Sequence, residues 1–221
     1  MRPSSDSAPT ESVARYEDRF ESMYAEAEAS GDRTLIPWDH DRPNPLLVQW
    51  LDHDAAGVVR CGARVAVVGC GLGHDARELI RRGFEVTAFD ISPTAIQWAK
   101  RIDPEAAESF FRADLFAPPP RWVHRFDLVV EVHTLQALPP ETRSTTMSAL
   151  ARITAMNAAL LVICRATDVP ARHEEGPPWP LTPDELLGLA SGAGLRAATF
   201  DVVDRAEGSA HSRIRALLTR A

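Results

Sequence analysis

The run from Ala63 to Asp90, "ARVAVVGCGLGHDARELIRRGFEVTAFD", constrains the fold more than any other stretch of this chain. An unbroken apolar segment, "RVAVVG", runs straight into Gly69, Gly71 and Gly73. A short apolar run that ends on glycine reads as a buried strand followed by a tight turn. "HDARELIRRG" then has helical spacing, with Gly83 where a helix would end. "FEVTAFD" is a second strand that closes on an aspartate. Strand, glycine turn, helix and strand make a βαβ unit, whose parallel strands need cover on both faces.

The alternation continues to the end of the chain. "SPTAIQWAKRI" predicts a helix with Ser92 as N-cap and Pro93 in its first turn. "SFFRAD" and "FDLVVEVH" read as the third and fourth strands, and "PPETRSTTMSALARIT" as a helix. "AALLVICRA" is a fifth strand, and "TPDELLGLASGAG" is a helix capped by Thr182. "LRAATFDVVDRA" and "HSRIRALLTRA" read as two closing strands that add an antiparallel edge. The predicted fold class is α/β: a doubly wound, mostly parallel, seven-stranded Rossmann-like sheet with helices on both faces.

Ahead of this core the patterning differs. Residues 1–12 are rich in Ser, Pro, Asp and Thr and predict a disordered tail. From Val13 to Ala29, residues Tyr16, Phe20, Met23 and Tyr24 fall on one helical face. "TLIPWDHDRPNP", Thr34 to Pro45, holds three prolines and is a shaped loop. "PLLVQWLDHDAAGVV" is an amphipathic helix entered through Pro45. Residues 13–221 are expected to form a single domain, with 13–60 as an N-terminal helical cover and 61–221 as the core.

Composition excludes some classes of function. With 31 acidic against 24 basic residues, the net charge of −7 argues against a nucleic-acid partner bound through a basic face. Cys61, Cys70 and Cys164 have no paired spacing, and the seven histidines form no ligand pair, so no metal is expected. No signal-peptide pattern or bilayer-length apolar run occurs, which predicts a cytoplasmic protein with no membrane partner.

In an open α/β sheet the ligand sits beyond the carboxyl ends of the strands, which is where Gly69–Gly73 falls. The spacing is G-x-G-x-G, followed by the bulky His74, and not the dinucleotide G-x-G-x-x-G. Asp90, ending the second strand, can accept from ribose hydroxyls, and Asp114, ending the third, can accept from an adenine amino group. Together with "FDLVVE", this ordered set resembles the class I S-adenosylmethionine-dependent methyltransferases. The N-terminal loop narrows the resemblance. Pro37-Trp38-Asp39, then Pro45-Leu46-Leu47, then Gly69 to Asp75 as "GCGLGHD", resemble the thiopurine methyltransferase superfamily, which includes thiol and halide methyltransferases. "EEGPPWPLTPDEL" resembles that family's Gly-Pro-Pro loop, which closes over the substrate.

The resemblance implies S-adenosylmethionine as cofactor and a small-molecule acceptor, first of all a thiol. It places Trp38 against the cofactor's methionine portion. Gly69, Cys70, Gly71 and Gly73 form the cofactor turn. Asp90, Ile91, Ser92, Asp114, Leu115 and Glu131 complete the cofactor set. The N-terminal segment through residue 45 is expected to order on cofactor binding. Asp39, Glu131, His133 and Arg165 are the candidate catalytic residues; Arg42 and Arg165 could neutralise an anionic acceptor. Oxygen or nitrogen acceptors, a nicotinamide-dependent oxidoreductase and a non-catalytic cofactor-binding protein stand as alternatives. "EVHT" at the end of the fourth strand is unlike the proline–aromatic tetrapeptide usual in methylation of nucleic acids.

Overall fold

Seven strands form one sheet in the computed structural model, which describes residues 9–203 and 212–220. β1 (Arg64–Val68) pairs in parallel with β2 (Glu85–Asp90) on one side and β4 (Phe126–Val132) on the other. β3 (Phe110–Arg112) extends the sheet beyond β2, and β5 (Thr154–Arg165) extends it beyond β4, both in parallel. β7 (Arg213–Arg220) lies between β5 and β6 (Leu195–Val203) and runs antiparallel to both. The strand order is β3-β2-β1-β4-β5-β7-β6.

The two closing strands form the expected antiparallel pair at this edge, with β7 inserted between β5 and β6 as the reversed strand. Burial explains the choice. Ile214, Ala216, Leu217 and Leu218 of β7 are buried and need neighbours on both sides, whereas most of β6 is exposed and suits the edge. Parts of both predicted strands, 204–206, 211 and 221, lie outside the described residues, as do residues 1–8 of the predicted tail.

Period-2 alternation divides the core between two layers. Val65 and Val67 of β1, Leu128 and Val130 of β4, and Leu161 and Ile163 of β5 face one way. They pack on α2 (Pro45–His53), α3 (His74–Arg81) and α4 (Pro93–Ile102). Ala66, Val68, Val129, Leu160 and Val162 face the other way, onto α6 (Arg143–Ile153) and α7 (Pro183–Gly192). A single turn of helix, α5 (Thr134–Ala137), follows β4 and has no sequence signal of its own.

Local chemistry sets the helix ends. Asn44, Ser92 and Thr182 each accept a backbone N–H with the side chain at the N-cap of α2, α4 and α7, and proline follows each of them. α1 (Pro9–Ser30) begins earlier than Val13 because proline is tolerated in a first turn. It packs against α4: Glu21 accepts from the hydroxyls of Ser92 (2.6 Å) and Thr94 (2.5 Å). Between β1 and β4 the chain changes its direction of travel through the sheet, the point at which a ligand crevice opens.

Candidate active site

A cavity of about 370 Å³ opens at that point. Its floor is the turn after β1. Gly71 (φ 50°) is held by a hydrogen bond from its N–H to Asp90 Oδ2 (2.9 Å). A Cβ at Gly71 would come within 2.7 Å of the Tyr24 hydroxyl, so the position requires glycine on two counts. Asp90 also accepts from Ser92 N through Oδ1 (3.0 Å). Burial raises its carboxyl pKa, against the backbone N–H groups of Ser92, Gly71 and Ile91.

Aromatic side chains form the wall above this turn. Trp38 donates its indole N–H to the Tyr24 hydroxyl (2.8 Å), and its ring meets those of Phe20 (5.7 Å) and Tyr24 (6.0 Å) edge-on. Trp38 still leaves 37% of its surface exposed, facing the cavity it lines. Burial, then the Asp90 carboxylate, push the Tyr24 phenol pKa well above its usual value, so Tyr24 keeps its proton. Its role lay hidden in sequence because its helical spacing reads simply as a packing face.

The loop that carries Trp38 is pinned to the glycine turn by Asp39. The Asp39 carboxylate accepts from Arg33 Nε (2.7 Å) and pairs with His74 Nε2 (3.0 Å). Burial opposes its charge, but Arg33, the Asp41 N–H and His74 outweigh that and hold the carboxyl below its usual pKa. Arg77 can only donate, and it lies 2.9 Å from His74 Nδ1. Arg33 Nη2 also approaches His74 Nε2 (3.2 Å), so that nitrogen is shared between Asp39 and Arg33. Burial and then Arg77 lower the His74 pKa, which agrees with a neutral ring. A second tie joins the Asn44 N–H to Asp75 Oδ1 (2.6 Å); burial pushes the Asp75 carboxyl up to about 6.

The far end of the cavity has different chemistry. His133 holds a left-handed backbone (φ 68°) between β4 and α5, uncommon outside glycine though histidine adopts it more readily than most residues, and frequent at functional sites. Its Nε2 lies 3.5 Å from Asn44 Nδ2, and its Nδ1 is enclosed without a well-formed hydrogen bond. Burial first, then Arg213 and Arg165, push its pKa down to about 4. Arg165 and Arg213, whose charges reach His133, line this end, and Arg42, Pro177 and Pro178 line the same cavity. Gln136 of α5 fastens the region: its side chain accepts from Arg165 N, and its carbonyl accepts from Trp179 N (2.7 Å).

Of the residues singled out in sequence, the cavity brings together Trp38, Asp39, Gly69, Cys70, Gly71, Asp90, Ile91, Asp114, Leu115, His133 and Arg165. Asp114 accepts from Phe116 N (2.8 Å). Gly73, Ser92 and Glu131 lie outside the cavity wall. Gly73 packs under Phe110, and Ser92 caps α4. Glu131 is fully buried below α5, where Oε1 accepts from Leu135 N (2.8 Å) and Oε2 finds no hydrogen-bond partner among the described residues; burial pushes its pKa up to about 7. Glu131 shares the face of Val129, where α5 covers it. Asn44, Asp75 and Arg213 line the cavity without having been singled out. Asp75 ends the glycine motif and Asn44 precedes a helix-starting proline, so both had a local signal. Arg213 had none, because only the insertion of β7 beside β5 brings it here.

The family model for thiopurine S-methyltransferase matches residues 29–217. Thiocyanate methyltransferase 1 of Brassica oleracea is 26% identical over 172 residues, 76% of this chain and 72% of that protein. The Arabidopsis thaliana protein of the same name is 28% identical over 175 residues, 77% of this chain and 73% of that one. In structure, the chain is similar to the Burkholderia thailandensis 1,6-didemethyltoxoflavin-N1-methyltransferase, solved with 1,6-didemethyltoxoflavin and S-adenosylhomocysteine. The two share a TM-score of 0.74 at 20% identity, over 100% of this chain and 94% of the other. The chain belongs to the thiopurine S-methyltransferase family of S-adenosylmethionine-dependent methyltransferases.

Proposed function

We propose that this enzyme methylates the sulfur of a small-molecule thiol. The residues at the glycine end of the cavity fit S-adenosylmethionine. Gly71 leaves room for close approach, Trp38 and Tyr24 offer an aromatic wall, and Asp90 and Asp114 offer carboxylate acceptors. When bound, the cofactor supplies a sulfonium methyl carbon: the acceptor's lone pair forms the new bond to it as the carbon–sulfonium bond breaks, leaving a thioether and S-adenosylhomocysteine. Trp38 and the loop around it shield this end from water, which would otherwise compete.

The observation that carries the choice of a thiol is the chemistry of the acceptor end. It offers positive charge and no poised base. His133, pushed down to about 4, is a weak proton acceptor at neutral pH. Asp39 is committed to Arg33 and His74, and Glu131 is enclosed under α5. An aliphatic hydroxyl would need a base here. A thiol reaches its anion far more easily: that of cysteine has a pKa of about 8.5, so a useful fraction is thiolate near neutral pH without a base. The guanidinium groups of Arg165 and Arg213, whose charges reach His133, favour the resulting thiolate. The names of the family and of the two thiocyanate methyltransferases point to sulfur-bearing acceptors as well.

A matched pair tests this. With S-adenosylmethionine at pH 7.5, 6-mercaptohexanol should yield its S-methyl product with kcat/KM at least about tenfold above that for 1,6-hexanediol, a difference of ~1.4 kcal/mol in barrier. Faster turnover of the diol, or of a matched amine, would overturn the reading.

A further inference from the structure

Asp75 keeps a free carboxylate oxygen in the wall of the cavity. It stands in the first turn of α3, straight after the glycine turn, lines the cavity and keeps part of its surface accessible. Its Oδ1 accepts from Asn44 N (2.6 Å). Among the described residues, Oδ2 has no hydrogen-bond partner and no cation pairs with either oxygen. Burial therefore pushes the carboxyl up to about 6, opposed only by the Asn44 N–H. Asp39 differs, because Arg33 pairs with its charge, and so does Asp90, held by two backbone N–H groups. At pH 7.5 Asp75 is still mostly ionised. An enclosed carboxylate without a counter-charge is costly, and a ligand that brings the opposite charge relieves that cost.

Strand order indicates which part of the cofactor can do so. Asp114 follows β3, Asp90 ends β2 and the glycine turn follows β1, in the row β3-β2-β1-β4. Asp114 and Asp90 suit an adenine amino group and ribose hydroxyls, all uncharged. The methionine portion of the cofactor then falls towards the β1–β4 side. Asp75 belongs to that side: Asn44, whose N–H it accepts, has its Nδ2 3.5 Å from Nε2 of His133, which follows β4. The methionine portion carries a primary ammonium, a compact charge with three N–H donors. A charge-assisted hydrogen bond from it to Asp75 would form in an enclosed site, where such a bond is stronger than in water.

We propose that Asp75 binds the α-ammonium group of the cofactor's methionine portion through the carboxylate oxygen that the fold leaves free. Engaged in this way, Asp75 is a binding group and not a base for the acceptor. The proposal rests on S-adenosylmethionine as cofactor and is independent of which atom accepts the methyl group.

Calorimetric titrations at pH 7.5 would compare S-adenosylhomocysteine with its desamino analogue, in which hydrogen replaces the α-amino group. Neither ligand has a sulfonium, so the pair isolates the ammonium. The unaltered enzyme is expected to bind S-adenosylhomocysteine at least about tenfold more tightly than the analogue. Asp75→Asn keeps an oxygen for Asn44 N and removes the charge. It should weaken S-adenosylhomocysteine at least about tenfold and leave the analogue within about twofold, so that the preference disappears. Unchanged affinity for the analogue shows that the variant is folded with its cavity formed. Asp75→Glu restores the charge on a longer arm and should recover part of the preference. Equal weakening of both ligands by Asp75→Asn, the mark of a residue that only holds Asn44 and the cover, would overturn the proposal. So would a preference that survives this substitution. If the unaltered enzyme bound neither ligand, the cofactor assignment would fall, and the proposal with it.

Discussion

Glu131 shows how one enclosed side chain can shape the reaction end without touching it. Its Oε1 accepts from Leu135 N and so fixes the turn in which His133 takes its left-handed backbone. An unfolded chain ionises this carboxyl near its ordinary value of about 4.3. The folded chain holds the proton up to about 7. Between these values the folded state binds more protons than the unfolded, so this group's contribution to stability falls as pH rises, and the full penalty is present above about 7. Asp75, at about 6, acts in the same sense. His133, pushed down to about 4, acts in the opposite sense, because the folded state binds fewer protons between there and its ordinary value. Glu131→Gln keeps an oxygen for Leu135 N and removes the titration. It is expected to raise unfolding free energy at pH 8 by about 1–3 kcal/mol and to change it little at pH 4.5. Urea denaturation at the two pH values measures this; an equal effect at both would show that Glu131 does not titrate in this range.

Among the elements, the N-terminal cover is the part whose behaviour matters most. Its loop has few backbone bonds of its own, and it is tied down by side chains: Asp39 to His74, the Asn44 N–H to Asp75, and Trp38 to Tyr24. Each tie ends on or beside the surface that a bound cofactor would cover, so ligand and loop should stabilise each other. Amide exchange across residues 32–44 is expected to slow on addition of S-adenosylhomocysteine, while that of β1 and β4 stays slow throughout. Exchange in 32–44 that is the same with and without ligand would refute this coupling. What could be read in sequence follows from the same distinction between local and distant determinants. The glycine turn, the strand-ending acids and the proline-started helices are written in neighbouring residues, so their placement was legible. The insertion of β7 was not, since pairing partners are chosen by burial across the whole sheet, and Arg213 was hidden with it. Nor was the four-residue α5, too short for a periodic signal, or the inward turn of Glu131, which depends on strand phase at a crevice edge.

At the scale of the whole molecule, charge and topology divide the work. The chain is acidic overall, at −7, yet arginines gather at one end of its cavity. No helix among the described residues is long and apolar enough to cross a membrane. The reversal of strand order between β1 and β4 opens the crevice, the glycine turn and Asp90 shape one end, and the β5–β7 pair sets the character of the other. The central claim is that this crevice is a site for S-adenosylmethionine and not for a dinucleotide. Calorimetric titration with S-adenosylhomocysteine, with NADH run in parallel, tests it most directly. The account predicts one site per chain with micromolar affinity for S-adenosylhomocysteine, about −8 kcal/mol, and no heat of binding from NADH. Tight binding of NADH with no response to S-adenosylhomocysteine would contradict it.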